Sequence, residues 1–237
     1  MATFGIKPQA RFEDPLTWFL RARTKLYSLW ISALYPFAAR GRNLSIHYPC
    51  LISRRISNGI KLGHSVIIWK DVWLNIDGRP VNEVKIVIDD NCSIGARSVI
   101  SARNFIHIEK NVIFATSVLI QDHNHAYEDI EVPIREQGVT AGGRVRIEEG
   151  CWIGQGAAIV CNDGELVIGR NSVIGANSLV TKSVPPHSVI VGNPGRVARQ
   201  FDPATASWVG GQAGRSIPVD ATRYRIGVDH KSETSPA

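Results

Sequence analysis

The chain has 237 residues, 44% hydrophobic and 20% charged, which suits one substantial core with extensions and excludes wholesale disorder. Its net charge of +6 is uneven: residues 1–55 hold nine Lys and Arg against Glu13 and Asp14, or +7, and the remainder holds 18 basic against 19 acidic residues, or −1. A near-neutral body with a basic N-terminal arm speaks against nucleic acid as a partner and for an anionic surface or ligand met by the arm. No eighteen apolar residues run together, and MATFGIKPQARFEDP lacks the layout of a signal peptide, so a cytoplasmic location is expected. Cys50, Cys92, Cys151 and Cys161 show no metal or disulfide spacing and are expected to be reduced.

The first predicted element is an amphipathic helix. Asp14 and Pro15 suit the N-cap and first helical position, and Leu16, Phe19, Leu20, Tyr27, Trp30, Ile31 and Leu34 keep helical spacing until Pro36. Arg21, Arg23 and Lys25 lie beside these apolar positions. Two roles fit: a helix packed on the main domain or another subunit, and a helix whose residues 14–35 rest on an anionic membrane, peripheral to its inner face.

Beyond it an aliphatic residue recurs every six positions: Leu62, Ile68 and Leu74; Ile88, Ile94 and Ile100; Ile147, Ile153 and Ile159; Ile168, Ile174 and Val180; and, more loosely, Ile108, Phe114 and Ile120. Six is not the helical period, but it suits short strands joined by regular turns, three to a coil of about eighteen residues. Each coil would lie roughly 4.8 Å above the last with its aliphatic residues inward. Gly, Asn and Asp fall between the strands, as at Asp89 to Asn91 and Arg170 to Ser172, where tight turns accept them.

The rhythm stops between Ile120 and Ile147, giving an excursion over 121–146 that holds His123 and His125, with Asp122, Glu128 and Asp129 close by. A loop leaving a rigid scaffold is where chemistry concentrates. The residues alone leave three readings of this HNH segment: solvated histidines, metal ligands, or a general base with its orienting partner. From Asp202 onward the chain turns to Gly, Ser, Pro and charge, and a loose tail is expected. The expected organisation is therefore an arm over 1–50, a repeat domain over 51–200 and a tail over 201–237.

Residues 51–200, and above all VRIEEGCWIGQGAAIVCN and IGRNSVIGANSLVTKSVPPHSVIVGNPGRVARQF, resemble the hexapeptide-repeat acyltransferases, in particular the maltose and galactoside O-acetyltransferases and the polysaccharide O-acetyltransferases. The resemblance implies an all-β fold, a left-handed parallel β-helix, with the N-terminal helix and a short C-terminal extension added. It implies a homotrimer with acetyl-CoA and a saccharide acceptor meeting between subunits, and no metal. Counted from Ile120, His125 falls where these enzymes place their catalytic histidine, and His123 is the reserve. Glu128 or Asp129 would orient the imidazole, although the sequence departs here from the family's HPxD pattern.

Further site residues follow from the same likeness. Gln155 would supply an oxyanion donor, Ala176, Thr181 and Lys182 would hold pantetheine and phosphate, and Arg199, with Arg196 nearby, would meet the 3′-phosphate. Asn75 resembles a sugar-contacting asparagine, although IDGRPVNEV after it diverges. Trp69, Trp73 and Trp152 suit either a pyranose face or a subunit interface. The activity implied is O-acetylation of a saccharide hydroxyl, as in a surface polysaccharide or its precursor. Alternatives are N-acetylation of an amino sugar, a non-catalytic β-helix scaffold, and a zinc carbonic anhydrase. The last needs a histidine pair five residues apart, which the seven histidines do not supply.

Overall fold

A repeat of six can bury its aliphatic residues only by stacking, and the computed structural model has that stack. It describes residues 15–78 and 81–210. Short strands form three sheets. Sheet one takes Ala39–Arg40, Ile60–Leu62, Ile86–Ile88, Phe105–Ile108, Arg144–Ile147 and Glu165–Ile168. Sheet two takes Ser45–Ile46, Ile67–Ile68, Ser93–Ile94, Ile113–Phe114, Trp152–Ile153, Val173–Ile174 and Ser188–Val191. Sheet three takes Leu51–Ile52, Trp73–Ile76, Val99–Ala102, Leu119–Gln121, Ala158–Val160 and Leu179–Val180. One strand from each sheet makes a coil, and neighbouring coils pair in parallel, giving a left-handed parallel β-helix.

Register sets like residue over like. Leu62, Ile88, Ile108, Ile147 and Ile168 form an inward column in sheet one, and Leu74, Ile100, Ile120, Ile159 and Val180 form one in sheet three. Phe114, in the looser set, fits the sheet-two column between Ile94 and Ile153 at 3% exposure. Each fully buried aliphatic side chain stabilises the stack by about 1.5–3 kcal/mol. The corners demand positive φ, which Asn supplies at Asn91, Asn111 and Asn171, and Gly150 takes the corresponding place one coil before Asn171.

The helix predicted from Pro15 spans Pro15–Leu34 and is called α1; its expected cap, Asp14, lies outside the described residues. It closes the first coil. Ile31 is 1% exposed in the common core, and Tyr27, Tyr35 and Phe37 pack beside it. The Ser28 hydroxyl accepts the Ile46 N–H at 2.7 Å and donates to the Thr24 carbonyl, fixing helix to strand.

Two segments depart from the expected plan. The chain also leaves the coil at 77–85, between the second and third turns, where Asn58 Nδ2 donates to the Val81 carbonyl at 2.7 Å. At the far end, Arg196–Asp202 and Ser207–Gly210 extend sheet two as antiparallel strands, so the chain past 201 is paired through Gly210 instead of hanging loose. Phe201 packs edge-on against Trp208 at 5.8 Å, which explains that pairing. Residues 211–237 lie outside the described residues.

Candidate active site

The excursion leaves sheet three after Gln121, and its first residue is its anchor. Only Arg103 and Asn104 connect the third coil to the fourth, so the N–H groups of Arg103, Asn104 and Phe105 converge at this tight corner. The Asp122 carboxylate, 0% exposed, accepts all three, at 2.6, 2.8 and 2.9 Å. His123 Nδ1 lies 2.9 Å from Asp122 Oδ1. Burial alone would push this carboxyl upward, but the His123 bond and the three N–H donors outweigh it and hold it below the ordinary aspartate value. Asp122 is thus an ionised clamp on the corner and on His123.

The next residues form a narrow arm. Asn124 N–H donates to Thr140 Oγ1, Thr140 N–H donates to the Asn124 carbonyl, and Ala126 N–H donates to the Gly138 carbonyl. His125 sits in this ladder opposite Val139, with its side chain in solvent. Its Nδ1 lies 3.3 Å from the Gly138 carbonyl oxygen. A carbonyl only accepts, so Nδ1 carries the proton and Nε2 presents a free lone pair. Glu128 and Asp129 do not perform the orienting role expected of them: Glu128 accepts the Tyr127 N–H and Asp129 the Glu131 N–H. A main-chain carbonyl does that job, and main-chain geometry leaves no trace in residue identity.

Asn75 lies on the same edge of sheet three. It stands in register with Ser101, and Ser101 with Gln121. Asn75 Nδ2 donates to Ser101 Oγ at 3.0 Å, and Gln121 Nε2 donates to the His123 carbonyl at 3.0 Å. Beside them Arg103 pairs with Asp77 at 2.6 Å. Sequence reasoning named Asn75 but missed Ser101, Gln121 and the Asp77–Arg103 pair. The signal was available, since Asn75, Ser101 and Gln121 each follow the inward residue of their coil. Trp73, exposed two residues before Asn75, shares this face. Trp69 instead stacks on His47 at 4.5 Å, and Trp152 stands on sheet two.

The residues expected to hold the cofactor fall into three groups. Thr181 and Lys182, both exposed, follow Val180 and so continue the edge that carries Asn75, Gln121 and the histidine arm. Gln155 and Ala176 occupy the corner between sheets two and three, at the opposite edge; Asn177 N–H donates to the Gln155 carbonyl, stacking one corner on the other. Among the described residues the N–H groups of Gln155 and Ala176 carry no intrachain hydrogen bond. Arg196 and Arg199 belong to the antiparallel extension, where the adjoining Gly195 N–H donates to the Leu179 carbonyl. One chain therefore carries Asn75, the histidine arm, Thr181 and Lys182 along one edge of sheet three, with four rungs from Asn75 to Thr181, and sets Gln155 and Ala176 at the opposite edge.

The thiols stand apart from this chemistry. Burial pushes Cys50 and Cys151 up to about 12 and Cys92 to about 11, and raises Cys161 as well, so none is a thiolate near neutral pH. Among the described residues, no three His, Cys, Asp or Glu side chains gather as a metal site.

No family model matches the chain. WbbJ of Escherichia coli K12, named as a candidate O-acetyltransferase of lipopolysaccharide biosynthesis, is 27% identical over 169 residues, covering 69% of this chain and 82% of WbbJ. The chain is thus similar in sequence to proteins named as acetyltransferases, and its fold is the left-handed β-helix of hexapeptide-repeat acetyltransferases. A candidate acetyltransferase of Staphylococcus aureus is 43% identical to this chain over 68 residues, 29% of this chain and 33% of its own length. The fold likeness extends to AntD, an N-acyltransferase of Bacillus cereus solved with dTDP and coenzyme A, at a TM-score of 0.59, 18% identity, and coverage of 75% and 90% of the two chains.

Proposed function

We propose that this protein is an acetyl-CoA-dependent O-acetyltransferase that acts on a hydroxyl of a saccharide, a surface polysaccharide or its precursor. The observation that carries the reading is the exposed His125 imidazole, which meets the Gly138 carbonyl through Nδ1 on the arm that leaves the sheet-three edge carrying Asn75. The names of the sequence relatives support acetyl transfer, and WbbJ's name supports a polysaccharide acceptor.

A sugar hydroxyl is a poor nucleophile until it loses its proton, and an imidazole with a free pKa of about 6.5 accepts that proton near neutral pH. His125 Nε2 takes it as the oxygen attacks the thioester carbonyl. The tetrahedral oxyanion that forms requires N–H donors, and the unengaged Gln155 N–H supplies one. Collapse of this species breaks the C–S bond, and the departing thiolate recovers the proton from His125. Thr181, Lys182, Arg196 and Arg199 would hold the pantetheine arm and phosphates, with Ala176 N–H as a further donor. Because sheet three separates Gln155 and Ala176 from His125 in one chain, the complete site forms where two copies meet, as in a homotrimer.

A lipid-linked precursor as acceptor would place the enzyme in the cytoplasm against the inner face of the membrane. Among the described residues, no helix is long and apolar enough to cross a bilayer. Purified protein is to be screened with acetyl-CoA against a panel of sugars, reading thiol release. His125→Ala is expected to lower turnover at least a hundredfold while leaving the melting temperature and coenzyme A binding intact; unchanged turnover would overturn the assignment. Mild alkali separates the two transfer classes, since an O-acetyl ester is cleaved and an N-acetyl amide survives. Absence of turnover on every sugar, with coenzyme A still bound, would favour the scaffold reading.

A further inference from the structure

We propose that α1 is a membrane-docking element that lies in the interface of an anionic bilayer, with the β-helix above it. A helix packed on a domain normally turns its charged side to water. In α1 the pattern is inverted. At 100° per residue, the arc facing the body carries Thr24, Ser28 and Ile31, half-buried or buried. The opposite arc, about 120° wide, carries Trp18, Phe19, Leu26, Leu29 and Trp30, between 53% and 67% exposed, and from residue 16 onward only alanines stand between them. No charged residue falls within that arc.

The charges stand at its margins instead. Arg21 and Lys25 border one side, and Arg23, 6.0 Å above the Tyr48 ring, borders the other. Aromatic and leucine side chains between two basic borders match the acyl boundary and anionic headgroups of a bilayer surface. A second copy of the chain is the weaker occupant: a head-to-tail contact, as in a cyclic trimer, would set these basic margins against the body of the next copy. The body, at −1, offers no compensating excess of acid, whereas residues 1–55 carry +7. Ile31 and Ser28 fix the helix to the first coil, so the apolar arc is presented by a rigid support. This inference does not depend on the transfer reaction.

The test is flotation of the full chain with vesicles of phosphatidylglycerol and phosphatidylcholine in a 3:7 ratio, and with phosphatidylcholine alone. Binding to the anionic vesicles, weakened at high salt, is expected. Lys25→Glu should reduce partitioning on the order of tenfold, and the pair Leu26→Ser and Leu29→Ser on the order of tenfold or more. The unaltered protein gives a second measurement: brominated lipid should quench tryptophan emission, and the quenching should vanish in W18F/W30F. No flotation with anionic vesicles, or no effect of the Leu26 and Leu29 changes on it, overturns the proposal. So does a reduction in oligomer size by that pair in the absence of lipid, since the face would then belong to another copy.

Discussion

Asp122→Asn isolates the contribution of one buried charge to both the scaffold and the site. In the native protein four donors share two oxygens: Oδ1 takes Arg103 N–H and the His123 ring, and Oδ2 takes Asn104 and Phe105 N–H. Asparagine keeps one oxygen and turns an NH2 group toward the other two donors. With the amide oxygen at Oδ1, Asn104 and Phe105 N–H lose their acceptor; with it at Oδ2, Arg103 N–H loses its own, while His123 Nδ1 can accept from the amide in the other tautomer. Each unsatisfied buried donor costs about 1–3 kcal/mol, so the variant should lose about 1–6 kcal/mol. For a chain of this size each kcal/mol moves the melting temperature by about 2–4 °C, so a fall of at least about 2 °C is expected. Thermal melts followed by circular dichroism from pH 3 to pH 8 would measure it.

The pH dependence of the same pair has a definite sign. The Asp122 carboxyl titrates lower in the folded chain than in the unfolded one, so its contribution is complete above the unfolded value of 3.8. It declines as pH falls from there through the lower folded value. The gap between wild type and Asp122→Asn should thus stay constant from pH 8 to about pH 5 and narrow only in acid. Melting temperatures within 1 °C of each other at pH 7, or a gap indifferent to acid, would refute the clamp.

Three further outcomes are expected. Ile31→Ala opens the end of the core that α1 closes, and should cost about 2–5 kcal/mol in denaturant unfolding, because the fully buried side chain leaves a cavity. Lys182→Ala should raise KM for acetyl-CoA about tenfold with kcat little changed, since an exposed cation at the phosphate end binds substrate and transition state alike; an equal fall in kcat would place Lys182 nearer the reacting atoms. The thiols, pushed up to about 11–12 at three of the four positions, should react with a disulfide reagent at pH 8 far more slowly than in urea, and Cys151→Ser should leave turnover within twofold.

What the sequence disclosed follows from what repeats. The inward columns require one kind of residue at one spacing, and so the coil, its three sheets and the gap in its rhythm could be read directly. Phe114 looked like an irregularity only because an aromatic replaces an aliphatic; the column accommodates it. The insertion at 77–85 was hidden because Ile76 and Ile86 are both aliphatic and the eye joins them. The candidate site was legible at Asn75 and Thr181, which occupy one position of the hexad; Ser101 and Gln121 occupy the same position and were missed. It was illegible where its geometry is made by the main chain. Asp122 reads as one more acidic residue until three N–H groups at a corner 17 to 19 residues earlier turn toward it, and the tautomer of His125 is set by a carbonyl that every residue has.

The same contrast explains how the chemistry is distributed. A β-helix moves residues along its axis in rungs of about 4.8 Å, so groups on one edge of a sheet are close whatever their separation in sequence, as Asn75 and Gln121 are across 46 positions. Groups on opposite edges stay apart, because the three-residue strand Ala158–Val160 between Gln155 and the histidine corner cannot fold back on itself. Moving His125 to Gln155 within one chain would break the ladder that Asn124, Ala126 and Thr140 build. In the proposed reaction the two edges would therefore come from different copies, since apposing one copy's histidine edge to another copy's Gln155 corner leaves that ladder intact.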